Sequence, residues 1–424
     1  MTTKKNNFSA DIIVVGGGPA GMMAAGRAGE LGATVTLLEK TYRMGAKLLL
    51  TGGGRCNISN SAGLTEFIKA FGQNGPFLYR AFHVFFNQDL INFFSARGLE
   101  TRQEPDGKIF PVNDNAESVL TVLRKYIEEN NGRIFHNKEV REILLASGEK
   151  TKVIGVKMVD GEMLKTGKVI IAAGGMSYPK TGSAGDGYKL AQQCGHTITP
   201  LRPGLTALES DETFIKELPG LTLKDIIISI VIEGKVKLSE KGDLLFTHTG
   251  VSGPKVLVFS GMVVDALTAG QNVALSLQLR PDYTVEEFDR YLQRELESFG
   301  ARTFRDYLEN VLPGSLVPVF GRRCAVPPDQ RCSMINRSER KIIAGMFMDF
   351  RIPISKPRPI EEATVTRGGV ALEEINPQSM ESRLVDGLYF CGEVLDIDGI
   401  TGGYNLQEAF SSGYLAGESA AGKK

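Results

Sequence analysis

The stretch Asp11–Glu39, DIIVVGGGPAGMMAAGRAGELGATVTLLE, decides the fold. It reads as strand, glycine turn, helix, strand. Asp11–Val15 is a short run rich in Ile and Val, the composition of a strand buried on both faces. Gly16, Gly18 and Gly21 fill a G-x-G-x-x-G pattern. The first glycine allows a tight turn, the second lets a pyrophosphate approach the backbone, and the third lets the helix pack close to the strand. Pro19 suits a first helical turn, where its missing N–H costs nothing, and Ala20 continues it. The helix runs to Leu31 and stops at Gly32, and Thr34–Leu38 is the second strand. Glu39 ends that strand roughly 20 residues after the glycines, where an acid takes the hydroxyls of an adenosine ribose. A preceding strand, a following helix and a correctly spaced acid together predict a dinucleotide site. The motif alone does not separate FAD from NAD.

The next segment, KTYRMGAKLLLTGGGRCNISNS, follows the ribose-binding strand directly. Its glycine run, Gly52, Gly53 and Gly54, leaves backbone N–H groups free to face an anion or a flat ring. Arg43, Lys47 and Arg55 are positioned to neutralise a pyrophosphate. Gly45, Thr51, Cys56 and Asn57 complete this candidate cofactor loop. With no second cysteine nearby, Cys56 is not read as a redox thiol. Further on, Phe82, Phe85, Phe86, Leu90, Phe93 and Phe94 recur at helical spacing and read as core. Val119, Val122, Leu123, Tyr126 and Ile127 form a helical face that ends at Asn130-Asn131-Gly132.

Val140–Leu145, Val153–Met158 and Glu162–Thr166 read as strands, with a hairpin turn at Asp160-Gly161. They feed the apolar strand Val169–Ala173 and the glycines Gly174 and Gly175. A β-meander in place of a helical crossover is the build of two-dinucleotide-binding flavoproteins, and it makes Val140, Ala173, Gly174 and Gly175 cofactor candidates. The stretch MSYPKTGSAGDGYKLAQQCGHT is similar to the glycine-rich segment of flavin-dependent fumarate-reductase-like enzymes. That likeness places Ser177, Tyr178 and Thr181 near a flavin. At the other end, Leu388–Phe390 reads as a buried strand ending at Cys391-Gly392-Glu393, and Gly402-Gly403 lead into a helix over about Asn405–Ala416. Such a helix N-terminus turns its free N–H groups toward a flavin's pyrimidine edge and favours the anionic reduced form. Glu393 or Asp396 accepts ribityl hydroxyls, with Gly392, Gly402, Gly403, Tyr404, Asn405 and Leu406 around them. A simple NAD dehydrogenase needs no such C-terminal return, so the cofactor reads as FAD.

The chain has 424 residues, enough for two or three domains. It is 42% hydrophobic and 23% charged, with 49 basic and 49 acidic residues. The zero net charge and the lack of any Lys/Arg run argue against a nucleic-acid partner. The start, MTTKKNNFSAD, has no apolar segment, so no signal peptide is expected. Val256–Ala269 is apolar but broken by Ser260, Gly261 and Asp265, too short to span a bilayer. None of the five cysteines forms a C-x-x-C pair, so neither a disulfide framework nor a zinc site is expected, and the location reads as cytoplasmic.

GAKLLLTGGGRCNISN, FTHTGVSGP (Phe246–Pro254) and CGEVLDIDGITGGYNLQEAFSSGYLAG together resemble the BaiN-like (YhiN, aminoacetone-oxidase-like) family of bacterial FAD-dependent oxidoreductases. The resemblance runs from about Asp11 to Gly417. It implies an α/β fold: a Rossmann-like FAD-binding domain of the two-dinucleotide-binding type with inserted β-barrel and helical domains. It implies FAD contacts at Gly16, Gly18, Gly21, Glu39, Lys40, Gly52–Asn57, Gly174, Gly392 and Gly403–Leu406. Short β-rich runs at Ile226–Ile232, Leu244–Phe246 and Val273–Leu279 fit the barrel. Pro327-Pro328 and the Pro353–Pro359 stretch read as connectors. The expected division is 1–195 and 356–424 for the FAD domain, 196–283 and 314–355 for the barrel, and 284–313 for a helical cap.

The resemblance fixes the cofactor better than the reaction. One family activity is reduction of conjugated 3-oxo bile-acid rings, and another is amine oxidation. The preferred reading is an NAD(P)H-driven reductase of a C=C bond in a cyclic, steroid-like 3-oxo substrate, an apolar small molecule. Hydride leaves flavin N5, a donor polarises the carbonyl and an acid protonates the α-carbon. His248, Tyr178 and Tyr404 are the candidates for those roles. The alternatives are a flavin amine oxidase using O2, and a flavin-dependent RNA-modifying or redox-sensing protein.

Overall fold

The computed structural model describes residues 10–148 and 150–422. Residues 1–9, which hold most of the segment read for a signal peptide, lie outside the described residues. The chain divides into two compact units. One is built from residues up to Arg202 and from Ile360 onward, and the other from Pro203–Pro359.

In the first unit the Ile/Val run forms β1 (Ile12–Val15), with all four residues buried. The glycine turn leads into α1 (Pro19–Glu30) and then β2 (Val35–Leu38), also buried throughout. A five-stranded parallel sheet runs in the order Leu388–Phe390, Val169–Ile171, β1, β2, Arg133–Phe135. Strands buried on both faces need apolar residues at every position, and VII beside β1 and LYF beyond it satisfy that. The meander forms as read: Val140–Ala146, Lys152–Met158 and Met163–Lys165 make an antiparallel sheet of their own. Gly161 turns the last hairpin at φ +87°.

The phenylalanine stripe spans the helices Tyr79–Val84 and Asn87–Ser95, with Phe85 and Phe86 in the link between them, and Phe82, Phe85, Leu90, Phe93 and Phe94 are buried. The C-terminal helix, Tyr404–Ala421, packs along α1. A Cβ on Gly413 would lie 2.3 Å from the Ala20 carbonyl oxygen, and one on Gly417 would lie 2.4 Å from that of Ala24. The two helices therefore run parallel with backbones in contact, which only glycine permits at those positions.

The second unit holds a seven-stranded sheet ordered Phe350–Ile354, Val273–Gln278, Thr222–Ile232, Lys235–Phe246, Gly250–Ser252, Leu208–Glu209, Lys356–Pro357. Ser355 alone separates Ile354 from Lys356, yet these belong to opposite edges of that order. The edges must therefore lie side by side, and the sheet curls into a barrel. Its interior is built from Ile228, Ile230, Leu275, Leu277 and Ile352, and the apolar stretch near Val256 is the helix Pro254–Thr268. Among the described residues no helix is long and apolar enough to cross a membrane.

Two readings change here. The Pro353–Pro359 stretch is not only a connector, because it contributes two strands. Proline removes a ladder donor and is tolerated on edge strands, and both strands are edges. Helices also extend past residue 313, at Leu316–Cys324 and Arg337–Met348. The second starts with a capping box of Asn336 and Glu339.

Candidate functional site

The three motif glycines do three different jobs. Gly16 has φ +108°, and a Cβ there would lie 2.4 Å from the Ala172 carbonyl oxygen. It turns the chain hard against the neighbouring strand. A Cβ on Gly21 would lie 2.0 Å from the Gly16 oxygen, so this glycine sets the helix–strand distance. Gly18 has ordinary extended backbone, and a Cβ there would meet nothing within 4 Å. The space beside Gly18 faces the start of α1, which has no side-chain cap. A helix N-terminus with free N–H groups and an open approach fits a pyrophosphate. The residues present therefore fit the phosphates of FAD.

Glu39 is buried and braces this turn. Its Oε2 accepts from the Gly17 N–H at 2.8 Å, and its Oε1 accepts from the Thr41 N–H at 2.7 Å and hydroxyl at 2.8 Å. Both lone pairs of Oε1 are taken by Thr41, whereas Oε2 has a single donor and keeps a lone pair for a ribose hydroxyl. Lys40 pairs with Asp186 in the first turn of the helix Asp186–Gln193. Burial opposes the Asp186 charge, but Lys40 and Lys189 hold its carboxyl below the usual range. A Cβ on Gly182, next to Thr181, would touch Thr41 and Lys40, so this turn lies beside the ribose acid.

A second cluster joins four segments. Lys47 Nζ donates to Ser177 Oγ at 2.5 Å and to the Glu393 carboxylate at 2.7 and 3.0 Å. Glu393 Oε1 also accepts from the Thr366 N–H at 2.8 Å. Thr366 Oγ1 in turn accepts from the Met176 N–H at 2.8 Å. Gly175 must be glycine, since a Cβ would lie 2.3 Å from Thr366 Oγ1. Ser177 is fully buried, while Tyr178 beside it is exposed and held at φ +53°. A non-glycine residue in the left-handed region stores strain, as functional sites often do. Thr181 donates through both its N–H and its hydroxyl to the Tyr178 carbonyl, at 2.8 and 2.7 Å.

The glycine-rich loop is left-handed at three consecutive residues, with φ +57°, +68° and +89° at Gly52, Gly53 and Gly54. Gly53 has open space around it. Thr51 keeps extended backbone, and its hydroxyl donates to Leu48. Arg55 stacks on Phe110 and pairs with Glu104 at 2.7 Å, while Arg43 pairs with Glu117. Cys56 is buried at φ +63°, and burial pushes its thiol up to about 12. It is no thiolate nucleophile. Asn57 Oδ1 accepts from the Ile109 N–H at 3.2 Å.

At the C-terminal return, Gly392 has φ +74° and Gly403 φ +98°. A Cβ on Gly392 would press on Ala20 at 2.7 Å. Asn405 pins the preceding loop through both Gly399 backbone groups, at 2.8 and 2.9 Å. Tyr404 is half-buried against Phe67, with ring centroids 4.6 Å apart, and burial raises its hydroxyl pKa. Leu406 is half-buried. Asp396 is also partly buried, which raises its carboxyl. Val140 starts the meander opposite Met158.

Within the first unit the structure thus gathers the glycine turn, Glu39, Lys47, Ser177 and Glu393 around the ends of the parallel strands, where open α/β sheets bind ligands. His248 belongs to the second unit, where it is exposed in a tight turn closed by the Thr247 N–H on the Gly250 carbonyl at 2.8 Å. Sequence reasoning missed two residues. Thr366 lies in a three-residue strand with no motif spacing to mark it. Glu408 lies in the C-terminal helix, one residue from the buried Ala409. A charged residue inside an otherwise apolar and small-residue helix face was the available signal.

The model of the HI0933-like protein Rossmann domain matches residues 10–419. A 3-dehydro-bile acid delta(4,6)-reductase of Clostridium scindens is 30% identical over 410 residues, covering 96% of this chain and 98% of that protein. A ribosomal RNA dihydrouridine synthase of Escherichia coli K12 is 31% identical over 408 residues, covering 96% of this chain and 97% of that protein. Among solved structures, the fold is similar to 3-ketosteroid delta1-dehydrogenase from Sterolibacterium denitrificans, with TM-score 0.55 and 13% identity over 98% of this chain and 100% of that one. The chain belongs to the HI0933-like family of FAD-dependent oxidoreductases, the BaiN-like family that its sequence resembles.

Proposed function

We propose that this protein uses NAD(P)H to reduce a carbon–carbon double bond conjugated to a carbonyl, with a cyclic, steroid-like 3-oxo compound as substrate. The observation that carries the reading is end-to-end similarity to a bile-acid reductase on a chain whose glycine turn is open at Gly18. Bound FAD supplies a hydride-transferring centre. The chain's own residues then have three tasks. Gly16–Gly21 and Glu39 hold the adenosine and phosphates. Lys47, fixed by Ser177 and Glu393, provides a positioned cation. A hydroxyl or imidazole must polarise the carbonyl and protonate the α-carbon, and Tyr178, Tyr404 and His248 are the candidates. All five cysteines are free and buried, which suits the reducing cytoplasm.

A second reading is favoured by the name of the Escherichia coli relative. Dihydrouridine forms when the C5=C6 bond of uracil, conjugated to its C4 carbonyl, is saturated. This is the same reaction class on a different substrate. Charge weighs against it: the second unit carries 20 basic and 20 acidic residues out of 49 of each in the chain, so neither unit has a net positive charge to draw it to RNA.

Single-turnover reoxidation separates the readings. Protein reduced anaerobically is mixed with a 3-oxo-4-ene bile acid or with ribosomal RNA lacking dihydrouridine. Reoxidation by the steroid supports the first reading, and reoxidation by the RNA alone replaces it with the second. A protein reduced by a primary amine and reoxidised only by dioxygen is an oxidase.

A further inference from the structure

The C-terminal helix buries one acid at the place where the cradle's segments cross. Gly392 touches Ala20 of α1, and a Cβ there would also lie 4.0 Å from the Ala409 Cβ. Glu408 precedes Ala409, is 3% exposed, and its Oε1 has no hydrogen-bond partner. The Gly413–Ala20 and Gly417–Ala24 contacts fix the helix register. One turn before Gly413, the helix reaches past the start of α1, level with the glycine turn. The Ser412 hydroxyl accepts from the Gly392 N–H at 2.9 Å and donates to the Ala409 carbonyl at 3.5 Å, and it lies close enough to the Glu408 carboxyl to favour its charged form. Glu408 is thus one serine away from the backbone of the strand-end turn.

We propose that Glu408 is a charge-compensating acid of the cofactor cradle, holding a proton while the dianionic pyrophosphate of FAD is bound, so that FAD retention and Glu408 protonation are coupled. The surroundings support the neutral form. Burial, followed by the Glu393 charge, pushes the Glu408 carboxyl up to about 8 against the pull of the Ser412 hydroxyl. The Cys391 thiol beside it is buried and held protonated. The facing stretch of α1, Pro19–Ala25, and the strands Ser59–Asn60 and Val169–Ile171 contain no ionisable side chain. Tyr79, Arg80, His83 and Asp89 on the neighbouring helices are exposed, and Tyr389 on the adjoining strand faces Glu381. Lys47 is already paired with Glu393.

The sign follows from linkage. Added negative charge disfavours the carboxylate, so the carboxyl pKa is higher with FAD bound than without it. FAD affinity is then level below pH 8 and falls by up to about tenfold per pH unit above it. Glu408→Gln keeps the shape and removes the titration.

The test is FAD retention by the holoprotein, read as released-flavin fluorescence between pH 6.5 and 10. Retention that falls above pH 8 in the wild type and stays flat in Glu408→Gln is the expected result. Identical profiles overturn the proposal. Should the variant fail to fold, calorimetry of FAD binding to the wild-type apoprotein at pH 8, in two buffers of different ionisation enthalpy, decides instead: net proton uptake is expected, and zero uptake overturns it. The proposal rests on the FAD reading. A purified protein that never carries flavin ends both, whereas a yellow protein with pH-independent retention ends only the role of Glu408.

Discussion

Gly16 and Gly18 share a motif but not a physical role, and substitutions separate them. Gly18→Val adds a side chain to open space at an ordinary backbone angle. The fold should keep its stability to within about 1 kcal/mol, while the flavin content of the purified protein falls to near zero. Gly16→Ala forces a Cβ toward the Ala172 oxygen at φ +108°. It should cost about 1–3 kcal/mol or more, seen as a lower melting temperature with or without FAD. Glu39→Ala removes the acceptor for the Gly17 and Thr41 donors as well as the ribose acid. A loss of about 1.5–3 kcal/mol predicts roughly ten- to a hundred-fold weaker FAD binding, measured by flavin titration of the apoprotein. Unchanged affinity would mean that the adenosine is misplaced. His248→Ala should slow turnover while flavin content stays constant. These residues were legible because the turn chemistry is local and the acid sits at a fixed distance from it. Thr366 and Glu408 were not, because their partners are brought together from far along the chain.

At the scale of elements, the pairing of α1 with the C-terminal helix holds the two ends of the first unit together. Gly413→Val would drive a branched side chain into the Ala20 carbonyl. Overpacking of this kind costs about 1–3 kcal/mol, and it should lower both melting temperature and flavin content, since Gly392 rests on the same Ala20. Phe410→Ala empties a fully buried site and should cost about 3–5 kcal/mol in urea unfolding. The helix itself was legible from Gly402-Gly403. Its close contact with α1 was also written in the sequence, as glycines at positions 413 and 417, four residues apart on one face. The proline-rich edge strands of the barrel were harder. Proline reads as a connector until the sheet order shows that Pro353 and Pro357 lie on edges. The helices at Leu316–Cys324 and Arg337–Met348 are short and amphipathic, and their burial depends on neighbours that no local pattern reveals.

For the whole molecule, the first unit joins its first and last segments in one parallel sheet, and the second inserts a barrel and helices between them. Strand order explains why the informative motifs stand at the two ends of the sequence: Leu388–Phe390 lies in the same sheet as β1, separated from it by Val169–Ile171. The claim that organises these features is an FAD enzyme that takes electrons from a nicotinamide donor. The most direct test is an anaerobic titration of the purified protein with NADH and then NADPH, following the visible flavin band. Rapid bleaching by one of them, at one equivalent of donor per FAD, is the predicted result. A fully flavinated protein that neither donor bleaches, but that a primary amine reduces, would contradict the reductase account.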